Sequence, residues 1–346
     1  MGPVKPGRLR PGDAVAVVTP SWGGPSRFPR LFELGLKVLE RDLGLVVREM
    51  PHARADADWV AEHPEARASD LTSALEDPSV RAIWCSIGGD DAMRLLPLLD
   101  PALPSSHPKA LIGFSDSTVL LTWFRLQGVV AFHGPSVLAG MAQWATLPSS
   151  FHEQLRSVLF APAPTHEYRG FAAYSEGYPD WGIAETVGHR HPDRSSPPWH
   201  WANGASPASG ELFGGCLEVL EFLKGTPYFP PVEFFDGKLL FLETSEEKPS
   251  PKAVVRVVRN YGLSGVLGRI SGLLFGRYRG YTESETVELD RALGRVARDE
   301  FHLPDLPVVT HLDFGHTDPQ WVLPLGVRAR IDPDGPSFRL LEPAVS

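Results

Sequence analysis

Ser115 stands in the segment ALIGFSDST, directly after the apolar run Ala110, Leu111 and Ile112 and before an apolar-periodic stretch at 119–126. A serine in such a strand-to-helix turn presents its hydroxyl beyond the end of a sheet, beside the next backbone amide and the positive end of the helix. That setting suits the nucleophile of an acyl transfer with an oxyanion donor at its side. It also suits a plain helix cap, a task that Asp116, Ser117 and Thr118 could share. Position 117 is Ser where the Gly-x-Ser-x-Gly elbow has its last Gly, so the common hydrolase motif is not matched.

Three other segments carry chemistry. Gly88, Gly89, Asp90 and Asp91 follow the strand-like run RAIWCSI. Glycines there let backbone amides approach a ligand and donate to a phosphate or an oxyanion, although a glycine pair after a strand also makes an ordinary turn. Glu243 ends the apolar run KLLFL, where another apolar residue would be expected; it is either a solvated strand-end carboxylate or the acceptor that fixes the tautomer of an imidazole. His316 follows Gly315 in THLDFGHTDPQWVLPLG, and it is one of 12 histidines, so by itself it needs no special role. His189 and His191, with only Asp193 and His200 nearby, do not form a metal motif, and no metal or other cofactor is expected. Cys85 and Cys216 are the only cysteines and read as small buried residues, not as a disulfide framework.

The elements that must position these residues alternate regularly through the first half of the chain. Strand signals at 14–18, 46–50, 81–87, 110–114 and 129–133 are separated by helical periodicity, which predicts a parallel sheet covered by helices. Ligands of such sheets lie beyond the carboxyl ends of the strands. Thr19, the glycine pair at 88–89 and Ser115 all fall just past strand ends and could face one crevice. Between 162 and 209 the pattern gives way to aromatic, Pro-rich and Gly-rich sequence, a long loop whose aromatic content argues for order. A second α/β pattern follows. The expected organisation is an N-terminal α/β domain at 1–161, a substrate loop at 162–209 and a smaller C-terminal α/β domain at 210–346.

A formal net charge of −9 provides no basic footprint for nucleic acid, and 42% hydrophobic with 22% charged residues is the balance of an ordinary globular chain. No apolar run reaches the length of a membrane span and the N-terminal residues contain no signal-peptide core, so the expectation is a cytoplasmic protein without a membrane partner.

Taken in order, VTPSWG, SIGGDDAMRLLPLLD, GFSDST, AFHGP, GELFGGCLEVLEFLKGTPYFP, KLLFLET and FGHTDPQWVLPLG resemble the LD-carboxypeptidase and microcin C immunity family of serine peptidases over nearly the whole chain. The resemblance implies a flavodoxin-like or Rossmann-like first domain, a second domain that supplies Glu and His, and commonly a homodimer. It implies Ser115 as nucleophile, Glu243 and His316 as the rest of a triad, and amides near Gly89 and Asp116 as the oxyanion hole. Where the family usually has Gly-Gly-Asn, this chain has Gly214, Gly215 and Cys216. A thiol cannot reproduce the donors and acceptor of an amide, so contacts to substrate are expected to differ there.

Two substrates fit the family: a peptidyl or aminoacyl nucleotide of the microcin C type, cleaved at its acyl bond, and a murein tetrapeptide that loses its terminal D-alanine. The aromatic segment favours the first, because Tyr178, Trp181, Trp199 and Trp201 offer faces on which a base can stack. Trp181, in the YPDW turn next to acidic and small residues, is the candidate stacking residue, with Gly88 and Cys216 as further candidate substrate contacts, and Trp199 and Trp201 are expected to pack the loop. A third possibility, from a different class, is a nucleotide or sugar-phosphate binding protein that uses the glycine pair and the Ser115 turn as an anion site without hydrolysis.

Overall fold

The computed structural model describes residues 2–346. The first half forms β1 (Ala14–Val18), β2 (Val46–Glu49), β3 (Val80–Cys85), β4 (Ala110–Gly113) and β5 (Ala131–His133). All the pairings among these strands are parallel. Four of them, β1, β3, β4 and β5, are buried almost throughout, as the continuous apolar runs of a doubly covered sheet require. β2 is an edge and is largely exposed.

The region at 162–209 is not free of regular structure. It contributes β6 (His166–Tyr168), β7 (Ala173–Glu176), β8 (Arg194–Ser195) and β9 (His200–Asn203). Strands of two to four residues cannot display an alternating pattern, which is why the sequence reads there as loop. The remaining strands are β10 (Ala208–Cys216), β11 (Leu239–Glu243), β12 (Gly272–Gly276), β13 (Val308–Leu312), β14 (Thr317–Asp318), β15 (Leu323–Leu325), β16 (Arg328–Asp332) and β17 (Ser337–Leu340).

The first sheet has the order β15-β5-β4-β3-β1-β2 and the second β6-β17-β16-β10-β11-β12-β13-β9; a small third sheet has the order β14-β7-β8. In the first sheet the chain turns outward in opposite directions from β1 and β3, which places a switch point between them and a crevice beyond their carboxyl ends. In the second, β10 to β13 are parallel, with antiparallel strands added on both flanks.

The two sheets meet through the helix Thr118–Leu126, every residue of which from Thr118 to Arg125 is buried. Cys216, the last residue of β10, donates its backbone N–H to Thr118 Oγ1 at 3.1 Å. The close approach of β10 to β11 requires Gly214: it has φ +155°, and a Cβ there would lie 1.7 Å from the carbonyl oxygen of Phe241. No helix among the described residues is long and apolar enough to cross a membrane.

Gly214→Ala should therefore lower unfolding free energy by at least about 3 kcal/mol. Gly225→Ala, at φ +79° with nothing within 4 Å of the new methyl group, should lose only the conformational part, about 1 kcal/mol. Urea denaturation of the two variants checks the difference.

Candidate active site

Ser115 follows β4 with φ +59°, a left-handed conformation rare for a residue with a Cβ. A short 3-10 turn at Ser115–Ser117 then leads into the helix Thr118–Leu126. The turn is braced from behind. The Asp116 carboxylate accepts a hydrogen bond from Ser21 Oγ at 2.5 Å and another from the Ala92 amide at 2.8 Å. These bonds tie together the loops after β1, β3 and β4. Arg67, almost fully buried, holds the Gly88–Asp91 loop from its other side through Asp91 at 2.6 Å. A Cβ on Gly88 would lie 2.8 Å from Ser115 Oγ, so this glycine packs directly against the serine; Gly89 is turned toward Ser21 and Trp22.

Glu243 and His316 come from the second sheet. Glu243, at the carboxyl end of β11, has no exposed surface. Its Oε2 lies 2.6 Å from His316 Nδ1, and its Oε1 lies 3.5 Å from Nε2 of the equally buried His133 on β5. Gly315, at φ +100°, lets the loop carrying His316 lie against this carboxylate: a Cβ there would meet Glu243 Cβ at 2.8 Å. The same loop is anchored by a buried ion pair, Arg277 to Asp313 at 3.0 Å, and by Arg277 Nε donating to Thr317 Oγ1 at 2.9 Å. Phe114 sets the other face of the His316 ring, edge-on at 4.9 Å between centroids.

The electrostatics follow from this packing. Burial alone would push the Glu243 carboxyl up, but His316 and His133 beside it bring it below the usual carboxylate range. Burial alone would make His316 give up its proton; Glu243 outweighs that, and Glu246 adds to it, so the imidazole holds its proton well above the ordinary histidine range. Glu246, exposed at the turn after β11, lies with Oε2 3.1 Å from His316 Nε2. His316 is thus flanked by a carboxylate on each ring nitrogen. No hydrogen bond joins Ser115 Oγ to His316 among the described residues, a common state of such pairs before substrate closes the site.

Ser115 and His316 open on one cavity of about 610 Å³, which is also lined by Gly88, Gly89, Trp22, Phe28, Tyr178, Trp181, Glu246 and Arg279. Trp181 packs edge-on against Phe28 at 5.3 Å and tilted against Tyr178 at 5.3 Å, and Tyr178 donates its hydroxyl to Asp318 at 2.5 Å. Trp199 is elsewhere, donating to Asp313 at 3.0 Å, and Trp201 lines a separate cavity beside the helix Glu283–Arg295. Cys216 and Asp116 line a second, small cavity on the other side of Ser115. Burial holds the Cys216 thiol well above its ordinary range, with Glu243 and Glu218 adding to the effect.

Sequence reasoning missed His133, Glu246, Arg279, Trp22 and Phe28. His133 was within reach, since it ends a buried run in AFHGP. Glu246 lies in the run SEEK and Arg279 in RYRGY, where nothing local distinguishes a charged residue that faces a cavity from one that faces water.

Models of the LD-carboxypeptidase N-terminal domain and of the LD-carboxypeptidase C-terminal domain match residues 15–134 and 209–331. The chain belongs to the LD-carboxypeptidase family. It is a serine carboxypeptidase, which sets aside the alternative of a non-hydrolytic binding protein. A putative carboxypeptidase of Streptomyces coelicolor is 34% identical to it over 99% of this chain and 97% of that protein. The microcin C7 self-immunity protein of Escherichia coli is 26% identical over 81% of this chain and 79% of its own length. Among solved structures of this LD-carboxypeptidase fold, an MccF-like protein of Streptococcus pneumoniae in complex with AMP superposes with a TM-score of 0.82, at 28% identity, covering 95% of this chain and 98% of that one.

Glu246→Gln removes one of the two carboxylates that favour the charged imidazole. His316 should then hold its proton less tightly, and its pKa, followed by NMR titration of the ring, should fall relative to the unaltered protein.

Proposed function

We propose that Ser115, His316 and Glu243 act together to hydrolyse the acyl bond of an aminoacyl or peptidyl nucleotide, with the protein working in the cytoplasm as a homodimer. His316 Nε2 takes the proton of Ser115 as Oγ attacks the carbonyl carbon, and the leaving group departs with that proton. Water then attacks the acyl-enzyme by the same route, and Ser115 recovers its proton. In this reading the amides of Gly89 and Asp116 receive the negative charge on the carbonyl oxygen, each donor contributing on the order of 3 kcal/mol to the transition state. Glu243 keeps Nδ1 protonated and stabilises the imidazolium formed in each step.

The observation that carries the nucleotide part of this reading is the wall of the larger cavity. Trp22, Phe28, Tyr178 and Trp181 form an aromatic surface there, and Arg279 beside them makes no ion pair among the described residues. A planar base linked to an anionic group supplies what both features lack: a partner for the ring faces and a charge for the guanidinium. The AMP complex of the Streptococcus pneumoniae relative supports the same assignment. Removal of D-alanine from a murein tetrapeptide uses the same triad and an anionic terminus for Arg279, but leaves the aromatic wall without a task.

Ser115→Ala and His316→Ala should each abolish most turnover of an aminoacyl-sulfamoyl adenosine, with the double variant little worse than either; multiplicative losses would contradict concerted action. Trp181→Ala should reduce catalytic efficiency on that nucleotide by about 1–3 kcal/mol while leaving cleavage of a murein tetrapeptide nearly unchanged. Equal losses on both substrates would assign Trp181 to the support of its loop and move the murein activity to first place.

A further inference from the structure

Glu243 faces two imidazoles, and the proposed reaction uses one of them. The other, His133, is the last residue of β5 and has no exposed surface. Its Nε2 lies 3.5 Å from Glu243 Oε1. Neither atom has a hydrogen-bond partner elsewhere among the described residues, and both are sealed from water, so each is the one group that can satisfy the other. The packing leaves the ring little freedom to turn. Phe241, Phe114 and Phe314 stand edge-on to it at 5.6, 6.2 and 6.5 Å between centroids. β5 is also paired on both sides at this residue, with Gly113 of β4 and Leu323 of β15. Gly113 stands shortly before Ser115 in the chain, so His133 belongs to the frame that carries the nucleophile. Glu243 belongs to the other sheet.

Burial also decides which nitrogen of His133 holds the proton. An ionised carboxylate only accepts, so the nitrogen that faces it has to donate. Nδ1 has no partner, and a proton placed there would be a buried donor with nothing to receive it. His316 is situated differently: its Nδ1 is held by the same carboxylate, and the residue lines the larger cavity.

We propose that His133 is a positioning residue for the hydrolysis, a neutral imidazole that donates from Nε2 to Glu243 Oε1, anchors that carboxylate to the sheet carrying Ser115, and so holds Oε2 on His316 Nδ1. This rests on the triad reading above, though not on a nucleotide as substrate. One carboxylate thus serves an imidazole that exchanges a proton in each step and another that keeps its own. Without the donor, Oε1 would be a buried acceptor with no partner, and Glu243 would be driven to rotate away from His316 or to take up a proton. Either change loosens the base.

The test compares His133→Gln with His133→Phe in the full-length protein, with folding checked by circular dichroism. Gln can place an N–H near the position of Nε2, whereas Phe keeps a ring but donates nothing. With an aminoacyl-sulfamoyl adenosine and a murein tetrapeptide as substrates, kcat of the Phe variant should fall by about tenfold, the scale of one hydrogen bond to a charged group, with KM changed by less than about twofold. The Gln variant should recover most of that loss. A purely packing role gives the reverse order, because Phe fills the space of the ring better than Gln does; that order, or full activity in the Phe variant, would overturn the proposal and leave the triad standing. Ser115→Ala and His316→Ala, measured beside them, test the level below: undiminished turnover in either would remove the triad reading and His133 with it. NMR of the histidine ring nitrogens in the unaltered protein needs neither a variant nor a substrate. His133 should show a single proton, on Nε2, and a proton on Nδ1 would overturn the proposal even if neither variant folds.

Discussion

Glu243 is a carboxylate with no exposed surface, and a charge so placed persists only if paired and hydrogen-bonded. Its two oxygens face two imidazoles, His316 on the loop after β13 and His133 on β5. One buried charge thereby joins a residue of the first sheet to two parts of the second. Much of the surrounding structure is arranged around that requirement. Gly315 brings the His316 loop close enough, the Arg277–Asp313 pair fixes the loop, and Phe114 limits the rotation of the ring. Removing His316 would leave Glu243 with only His133, at 3.5 Å, so a single substitution here acts on folding as well as on chemistry.

The serine lines two cavities that share part of their wall, Gly89, Asp90, Glu246 and Glu247. The larger adds aromatic faces and the guanidinium of Arg279, which makes no ion pair among the described residues; the smaller adds Asp116, Cys216 and Glu218. Ser115 has a left-handed backbone, and the brace from Asp116 to Ser21 and Ala92 keeps the turn from relaxing.

What the sequence reveals depends on distance along the chain. The strand–turn–helix around Ser115 and the glycine turn after β3 are local, and apolar runs punctuated by Gly and Ser mark them directly. The pairing of Glu243 with His316 spans 73 residues, and nothing in either segment names the other. Only resemblance to a family linked them. Glu246 and Arg279 are harder still, since a charged residue in a turn has the same local appearance whether it faces water or a cavity. In the region 162–209 the aromatic content pointed correctly to order, but its short strands take their register from β14, β17 and β13, which lie more than a hundred residues away.

β15, at Leu323–Leu325, pairs antiparallel with β5 and closes the first sheet from the far end of the chain. His133 is opposite Leu323 in that pairing. As the polypeptide leaves the ribosome, the sheet that carries Ser115 has an unsatisfied edge at β5 until almost the entire chain has been made. The nucleophile's half thus keeps a second open edge, besides β2, until the half that provides its base has been made. A fragment ending before β15 would present β5 as an unpaired edge strand, so the last part of the chain also guards the first sheet against pairing with other chains.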